Sequence, residues 1–294
     1  MTSISAKDVK ELRERTGAGM MECKKALVDV GGDIEAAIEA MRKSGIAKAA
    51  KKAGRVAAEG LIDIKIHAGG ESAIMLEVNC ETDFVGRDAN FKTFVQSAAE
   101  TALATKTDDV AKLSKTVLAG QSKTVEEARQ ELISKMGENI QIRRIAVMSC
   151  SGTIGAYVHG GRIGTLVALS AKNPDLVKDL AMHIAASSPQ YIKPEDVPPE
   201  IIEREKEIFI AQSADSGKPI EIIEKMVKGR IHKFVNEISL IGQPFVKDPN
   251  QTIGQLLKAA NAQVMQFIRF EVGEGIEKTT EDFAAAVMAQ IGAQ

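Results

Sequence analysis

Gly152-Thr-Ile-Gly-Ala-Tyr-Val-His159, a turn at Gly160 to Arg162, and Ile163-Gly-Thr-Leu-Val-Ala-Leu169 read as two strands joined by a tight glycine turn. Upstream, Gly60-Leu-Ile-Asp-Ile-Lys-Ile-His67 aligns with the first of these strands. Here Ile62, Ile64 and Ile66 alternate onto one face, the chain turns over Ala68 to Glu71, and Ile74, Leu76 and Val78 return. The alignment predicts an internal duplication. Each hairpin is followed by a helical pattern, with Phe91, Phe94, Val95 and Ala98 in the first unit and Leu176, Val177, Leu180 and Ile184 in the second. Each then acquires another strand-like run, Gln141 to Val147 and Phe267 to Val272. Two related α+β subdomains, each with a small antiparallel sheet, are the expected core.

The flanks have a helical period. Ser5 with Asp8 three residues on marks a helix start, Val9 and Leu12 follow, and Gly17 stops the pattern. Met20, Met21, Cys23, Leu27 and Val30 make a second helix ended by Gly31 and Gly32, and Asp33 caps a third carrying Ile34, Ala37, Ile38 and Met41. Between Lys43 and Arg55 lies an acid-free Lys/Ala-rich segment, expected as an exposed helical linker. The second core unit is interrupted by a segment opening at Pro198-Pro199, with apolar residues from Ile201 to Phe209 and from Ile223 to Ile238 and a break at Ser216-Gly217-Lys218-Pro219. This predicts an antiparallel helical hairpin, a protruding coiled-coil arm. A last helix, Phe283 to Ile291, is expected after Gly275. The resulting divisions are an N-terminal three-helix module with linker (1–55), a first core subdomain (56–148), a second (149–191 and 241–275), the coiled-coil insertion (192–240) and a C-terminal helical module (276–294).

Composition narrows the function. Over 294 residues, 44% hydrophobic and 27% charged residues suit a globular chain, and 38 basic against 40 acidic side chains leave a net charge of −2. A dedicated nucleic-acid binder would carry clustered positive charge. Cys23, Cys80 and Cys150 are an odd number without CxxC spacing, so neither a disulfide framework nor a thiolate zinc site is expected, and a reducing cytoplasm fits. No apolar run reaches the roughly 18 residues of a membrane span. Phosphate-loop, dinucleotide, HExxH and GxSxG patterns are missing, and His67, His159, His183 and His232 are scattered, which favours surface or packing roles over metal ligation. The glycines of His159-Gly-Gly-Arg-Ile-Gly164 lie between two strands rather than before a helix, so a hairpin turn is favoured over a phosphate cradle. Asn79-Cys-Glu-Thr-Asp-Phe-Val-Gly86 places Phe84 in a polar turn, where a satellite of the core and an exposed contact residue are equally expected.

Four strings taken together, Thr16 to Leu27 (TGAGMMECKKAL), Asn79 to Val85 (NCETDFV), Gln243-Pro-Phe-Val246 and Phe267 to Gly275 (FIRFEVGEG), resemble the elongation factor Ts family in their family order across the whole chain. The resemblance implies an N-terminal module like a ubiquitin-associated domain. It implies a non-enzymatic guanine-nucleotide exchange factor that binds elongation factor Tu, GDP-bound and nucleotide-free, dislodges its magnesium and promotes GDP release and GTP loading. Carried over by motif, Thr82, Asp83, Phe84 and Val85 would displace the magnesium, with Phe84 as the wedge. Arg13, Met20, Met21 and Lys24 match an N-terminal contact surface, with at least one of the two methionines otherwise expected in the core. Met136, Gly137, His159 and Gly160 match further contacts; the family commonly has isoleucine where Met136 stands. No cofactor, resident metal, membrane or stable nucleic-acid partner is implied, and the coiled coil leaves room for homodimerisation.

Two other classes stay open at the level of residues. The Lys43 to Arg55 cluster suits an RNA- or ribosome-binding protein, although the low aromatic content offers few stacking platforms. A pocket between the duplicated subdomains would suit an enzyme acting on a small molecule.

Overall fold

The structure, a computed structural model, describes residues 4–16, 18–214 and 219–277. Within these residues the chain forms two compact units, one from 4–65, 76–146 and 271–277 and the other from 66–75 and 147–270.

In the first unit, helices α1 (Ala6–Thr16), α2 (Met20–Asp29) and α3 (Ile34–Lys52) enclose Val9, Leu12, Cys23, Leu27 and Ala37. Their starts follow the expected capping chemistry. Ser5 and Asp8 exchange side chain-to-backbone hydrogen bonds of 3.1 and 3.2 Å, and the Asp33 carboxylate accepts from the Ala36 N–H at 3.0 Å. The Lys/Ala-rich segment is continuous with α3 and is not detached from the fold: Gly45 and Ala49 are buried, and α3 packs along α7 (Val125–Met136).

Strands β1 (Glu59–Ile66), β2 (Ser72–Cys80) and β3 (Ile140–Ser149) form a sheet in the order β1-β2-β3. The alternating stripe read for β1 holds at Ile62, which is buried, and fades to Ile66, 40% exposed. The centre strand departs further from simple alternation. Every residue of β2 from Ala73 to Cys80 is buried, so both of its faces are covered. The one-turn helix α4 (Asp83–Arg87) and the longer α5 (Ala89–Thr105) follow, the latter burying Phe91, Phe94, Val95 and Ala98 as expected. No element is predicted from the sequence between Ala98 and Gln141, where the structure has α6 (Val110–Lys115) and α7. The second of these carries a Thr124/Glu127 capping box and ends on left-handed Gly137, φ 78°.

The second unit repeats the plan. Strands β4 (Thr153–His159), β5 (Ile163–Leu169) and β8 (Val264–Glu271) form a sheet in the order β4-β5-β8, and α8 (Pro174–Ser187) packs on β4 and β5. The β4–β5 register runs from Thr153 opposite Leu169 to His159 opposite Ile163. Val167, Leu169, Leu176, Val177, Leu180 and Ile184 share a core with Leu240, Phe245, Ile253 and Leu257. The last three come from a small hairpin, β6 (Pro244–Phe245) with β7 (Asp248–Thr252), and α11 (Ile253–Ala259), elements the periodicity did not predict. His183 is a core histidine: it is fully buried and its Nε2 lies 2.9 Å from Gln243 Oε1, with burial pulling its pKa below the usual value and the Gln243 hydrogen bond opposing.

The inserted helices are α9 (Pro199–Ala214) and α10 (Ile220–Ile238), packed on each other with the Arg230 guanidinium 5.6 Å from the centre of the Phe209 ring. They run antiparallel, because the chain entering α9 meets the chain leaving α10: Leu240 N–H donates to Tyr191 O at 2.8 Å and Ile241 N–H to Ile192 O at 3.1 Å. The expected break at Ser216 to Lys218 and the expected helix from Phe283 lie outside the described residues. Since both ends of the arm meet at its base, excision of residues 197–234 with a short Gly/Ser bridge should leave a single cooperative unfolding transition and lower Tm by no more than about 5 °C. Loss of cooperativity in calorimetry would show that the helices are part of the core. Leu240 must be kept, because it is fully buried in the core of the unit.

Candidate functional site

Phe84 is the most exposed large apolar side chain among the described residues, at 80%. The polar turn expected around it is the single helical turn α4. Five residues form one turn of helix, too short to hold itself, so the position of Phe84 is set by its neighbours. Val85 and Gly86 on the opposite side are buried. Thr82 caps the turn, its hydroxyl accepting from Val85 N–H at 3.4 Å, and Asp83 pairs with Arg87 at 2.8 Å. The Cys80 thiol lies 3.1 Å from Thr82 O and donates to it. Burial, with the Glu138 and Glu59 charges, pushes that thiol up to about 12 and keeps it protonated.

The other side of this turn is fastened to the loop that follows α7. The Glu138 carboxylate accepts from Thr82 N–H at 3.0 Å and from Thr82 Oγ1–H at 2.6 Å. In the reverse direction the Glu81 carboxylate accepts from Asn139 N–H at 2.6 Å. Asn139 is buried and its amide donates to Arg55 O at 2.8 Å, while Arg55 pairs with Glu81 at 3.6 Å. Lys52 at the end of α3 donates to Gly137 O. Two strings far apart in sequence, Thr82 to Val85 and Met136-Gly137, are therefore joined through Glu81, Glu138 and Asn139. Motif reading did not single out those three residues, because nothing in their spacing reveals a partner more than fifty positions away.

Met20 and Met21 are 59% and 77% exposed, so neither enters the core; Cys23 and Leu27, on the other side of α2, do. Lys24 and Arg13 are exposed as well, and Val28, 57% exposed, extends the same α2 face one turn on. Met136 is half-buried and Gly137 exposed. In the second unit His159 and Gly160 are exposed at the β4–β5 turn, where Tyr157 Oη lies 3.1 Å from His159 Nδ1. Gly160 and Gly161 both have positive φ, 57° and 74°, and Arg162 N–H closes the turn on His159 O at 3.0 Å. That is a primed hairpin turn, the reading favoured over a phosphate cradle.

Three of the five cations in the Lys43 to Arg55 segment face carboxylates, and a fourth, Lys52, donates to a backbone carbonyl. Lys43 meets Glu39 at 2.7 Å, Lys48 meets Glu22, and Lys52 and Arg55 make the contacts given above. Among the described residues no three His, Cys, Asp or Glu side chains gather where they could hold a metal, and no helix is long and apolar enough to cross a membrane.

A family model described as Elongation factor TS matches residues 81–274. The chain is 57% identical to an elongation factor Ts of Idiomarina loihiensis over 291 residues, which covers 99% of this chain and 98% of the relative. It is 56% identical over 291 residues to one of Legionella pneumophila, covering 99% of each, and 57% identical over 289 residues to one of Yersinia pestis, covering 98% of each. This chain belongs to the elongation factor Ts family.

Membership makes it a translation elongation factor with an α+β fold. The segment matching the elongation factor Ts model contains the whole Glu81–Glu138 fastening, the Phe84 turn and the His159–Gly160 hairpin. Arg13, Met20, Met21 and Lys24 precede it and fall in the part that the full-length elongation factor Ts relatives also cover.

Proposed function

We propose that the chain is a guanine-nucleotide exchange factor for elongation factor Tu, and that Phe84 is the side chain that disturbs the partner's magnesium and phosphate site. The observation that carries this reading is a bare phenyl ring on a braced single turn. Burying a phenylalanine side chain is worth about 1.5 to 3 kcal/mol, and Phe84 forgoes that gain in the isolated chain while its neighbours Val85 and Gly86 are buried. A partner that takes up the ring recovers it. Exchange needs no bond made or broken: a factor that binds the nucleotide-free partner more tightly weakens nucleotide binding by the same coupling free energy. Magnesium bridges phosphate and protein ligands in such sites, so a small apolar intrusion that displaces it exposes the phosphate charge and lowers GDP affinity.

Thr82, Asp83 and Val85 serve the wedge by shaping the turn. Met20 and Met21, apolar and adaptable, with Arg13 and Lys24 form a second contact patch, and Met136, Gly137, His159 and Gly160 supply further contacts. Family membership supports elongation factor Tu as the partner. The internal pairing of much of the basic segment disfavours an RNA-binding role, since Lys43, Lys48 and Arg55 already face carboxylates. The reading places the protein in the cytoplasm, where three free cysteines are at ease, and leaves a second copy bound through the α9–α10 arm as a further association to be sized in solution. The test is release of labelled GDP from elongation factor Tu. Substoichiometric amounts of this protein should accelerate it by at least about tenfold at low micromolar partner; an unchanged rate at saturating concentration overturns the reading.

A further inference from the structure

We propose that Glu138, working with Glu81, is a positioning residue for exchange: its carboxylate holds the Phe84 turn in the orientation that a partner meets. This rests on the exchange reading above and adds a role for residues outside the four family strings or silent within them. The bracing is reciprocal. Glu138 accepts two hydrogen bonds from Thr82, at 3.0 and 2.6 Å, while Glu81, the residue before Thr82, accepts from Asn139, the residue after Glu138. Each segment thus donates a backbone N–H to the other's carboxylate, and such charge-assisted bonds are about twice as strong as neutral ones. The geometry is a capping box built across more than fifty residues in place of three.

Bracing matters here because of what α4 lacks. Its own cap bond, Val85 N–H to Thr82 Oγ1, is long at 3.4 Å, and the Thr82 hydroxyl is free to accept it only while its proton points at Glu138. One turn of helix with one weak cap explores many orientations unless it is held from outside. The anchor on the far side is firm. Asn139 is buried and tied to Arg55 O, and Lys52 holds Gly137 O, so the loop carrying Glu138 is fixed to the end of α3. Glu138 itself touches neither nucleotide nor magnesium in this account. It acts only through Thr82.

The sequence has no tryptophan, so Phe84→Trp supplies a single fluorophore on the turn. In the full-length protein without partner, time-resolved anisotropy of that indole should show the amplitude of nanosecond local motion rising at least about twofold when Glu138→Ala is added. Glu138→Gln, which keeps one acceptor oxygen, should fall between. With Phe84 restored, Glu138→Ala should lower the maximal rate of GDP release from elongation factor Tu by about tenfold. The half-saturating concentration should change less than about threefold, because binding energy from the other contact surfaces is kept. Thermal unfolding accompanies each variant, and Glu138→Gln carries the test if the alanine variant unfolds. Unchanged indole motion overturns the proposal, as does a loosened turn with a normal maximal rate, or a rate loss that tracks the unfolded fraction. If the parent protein itself fails to release GDP, the exchange reading falls, while the anisotropy arm still decides whether Glu138 holds the turn.

Discussion

Phe84→Ala should reduce the acceleration of GDP release by about a hundredfold, the loss expected of an interface hot spot, while leaving Tm within about 2 °C of the parent. The two halves of that expectation come from one observation. With 80% of its surface exposed, the ring contributes almost nothing to the free protein's core, so its removal opens no cavity. Truncating a buried phenylalanine costs about 3 to 5 kcal/mol, and Phe91 on α5, fully buried, is the internal control that should show it. The measurement is paired: thermal unfolding of the free variant beside its GDP-release rate with elongation factor Tu. A strongly destabilised Phe84→Ala whose folded fraction exchanges normally would remove Phe84 from the mechanism and leave Asp83 and the Met20–Met21 surface to be tested.

The second large effect is on stability. Glu77→Gln should destabilise the protein by roughly 2 to 3 kcal/mol near neutral pH. Glu77 lies on β2 with no exposed surface, and its carboxylate accepts from Arg143 at 3.1 Å, Arg144 at 2.6 Å and Gly273 N–H at 2.9 Å. Burial alone would raise its pKa; the Gly273 N–H and the two guanidinium groups outweigh burial and hold the carboxyl below its usual range. Gly273 has φ 75°, and a Cβ there would stand 2.2 Å from Ala58 O, so the segment after β8 can reach Glu77 only with glycine at that position. A glutamine keeps one acceptor but turns an NH2 toward positive donors. The pH dependence follows from the sign of the shift. A carboxyl with a depressed folded pKa contributes stability above the ordinary carboxylate pKa and loses it as pH falls through the folded value. The stability gap between parent and Glu77→Gln should therefore be full at pH 7 and shrink below about pH 4.5. A gap that stays constant with pH in chemical denaturation would show that the variant's cost is steric and not electrostatic.

Much of this molecule is legible from local rules. The Ser5/Asp8 and Asp33 caps, the glycine stops, the two hairpins and the helices after them depend on residues within a few positions of each other, and period and capping chemistry report such interactions directly. The two three-stranded sheets are visible because the same alternation occurs twice. Helix α7 carries a signal of the same local kind: Thr124-Val-Glu-Glu127 is a capping-box sequence and Gly137 its stop. The uniform burial of β2 was not accessible, since Glu77 and Asn79 read as polar positions of an alternating strand. Only the arrival of Arg143, Arg144 and Gly273 from distant parts of the chain makes burial of a carboxylate tolerable.

The same division runs through the candidate site. The residue types at 82–85 and 20–24 mark contact surfaces by composition and family resemblance, but whether Phe84 packs inward or stands out was open in the sequence, because one aromatic in a short polar segment satisfies either arrangement. Packing of Val85 and Gly86 decided it, by turning the ring's side of α4 to solvent. For Met20 and Met21 the decision lay in helix phase: Cys23 and Leu27 take the inward face of α2, and the two methionines are left on the other. Sequence by itself determined the N-terminal helices, the two hairpins with the helices after them, the inserted helical pair and the family, but not α6, β6, β7 or α11. Tertiary structure alone decided which side chains were left exposed and what holds the Phe84 turn, because those depend on hydrogen bonds between Glu81, Thr82, Glu138 and Asn139, whose separation along the chain carries no periodic or spacing signal.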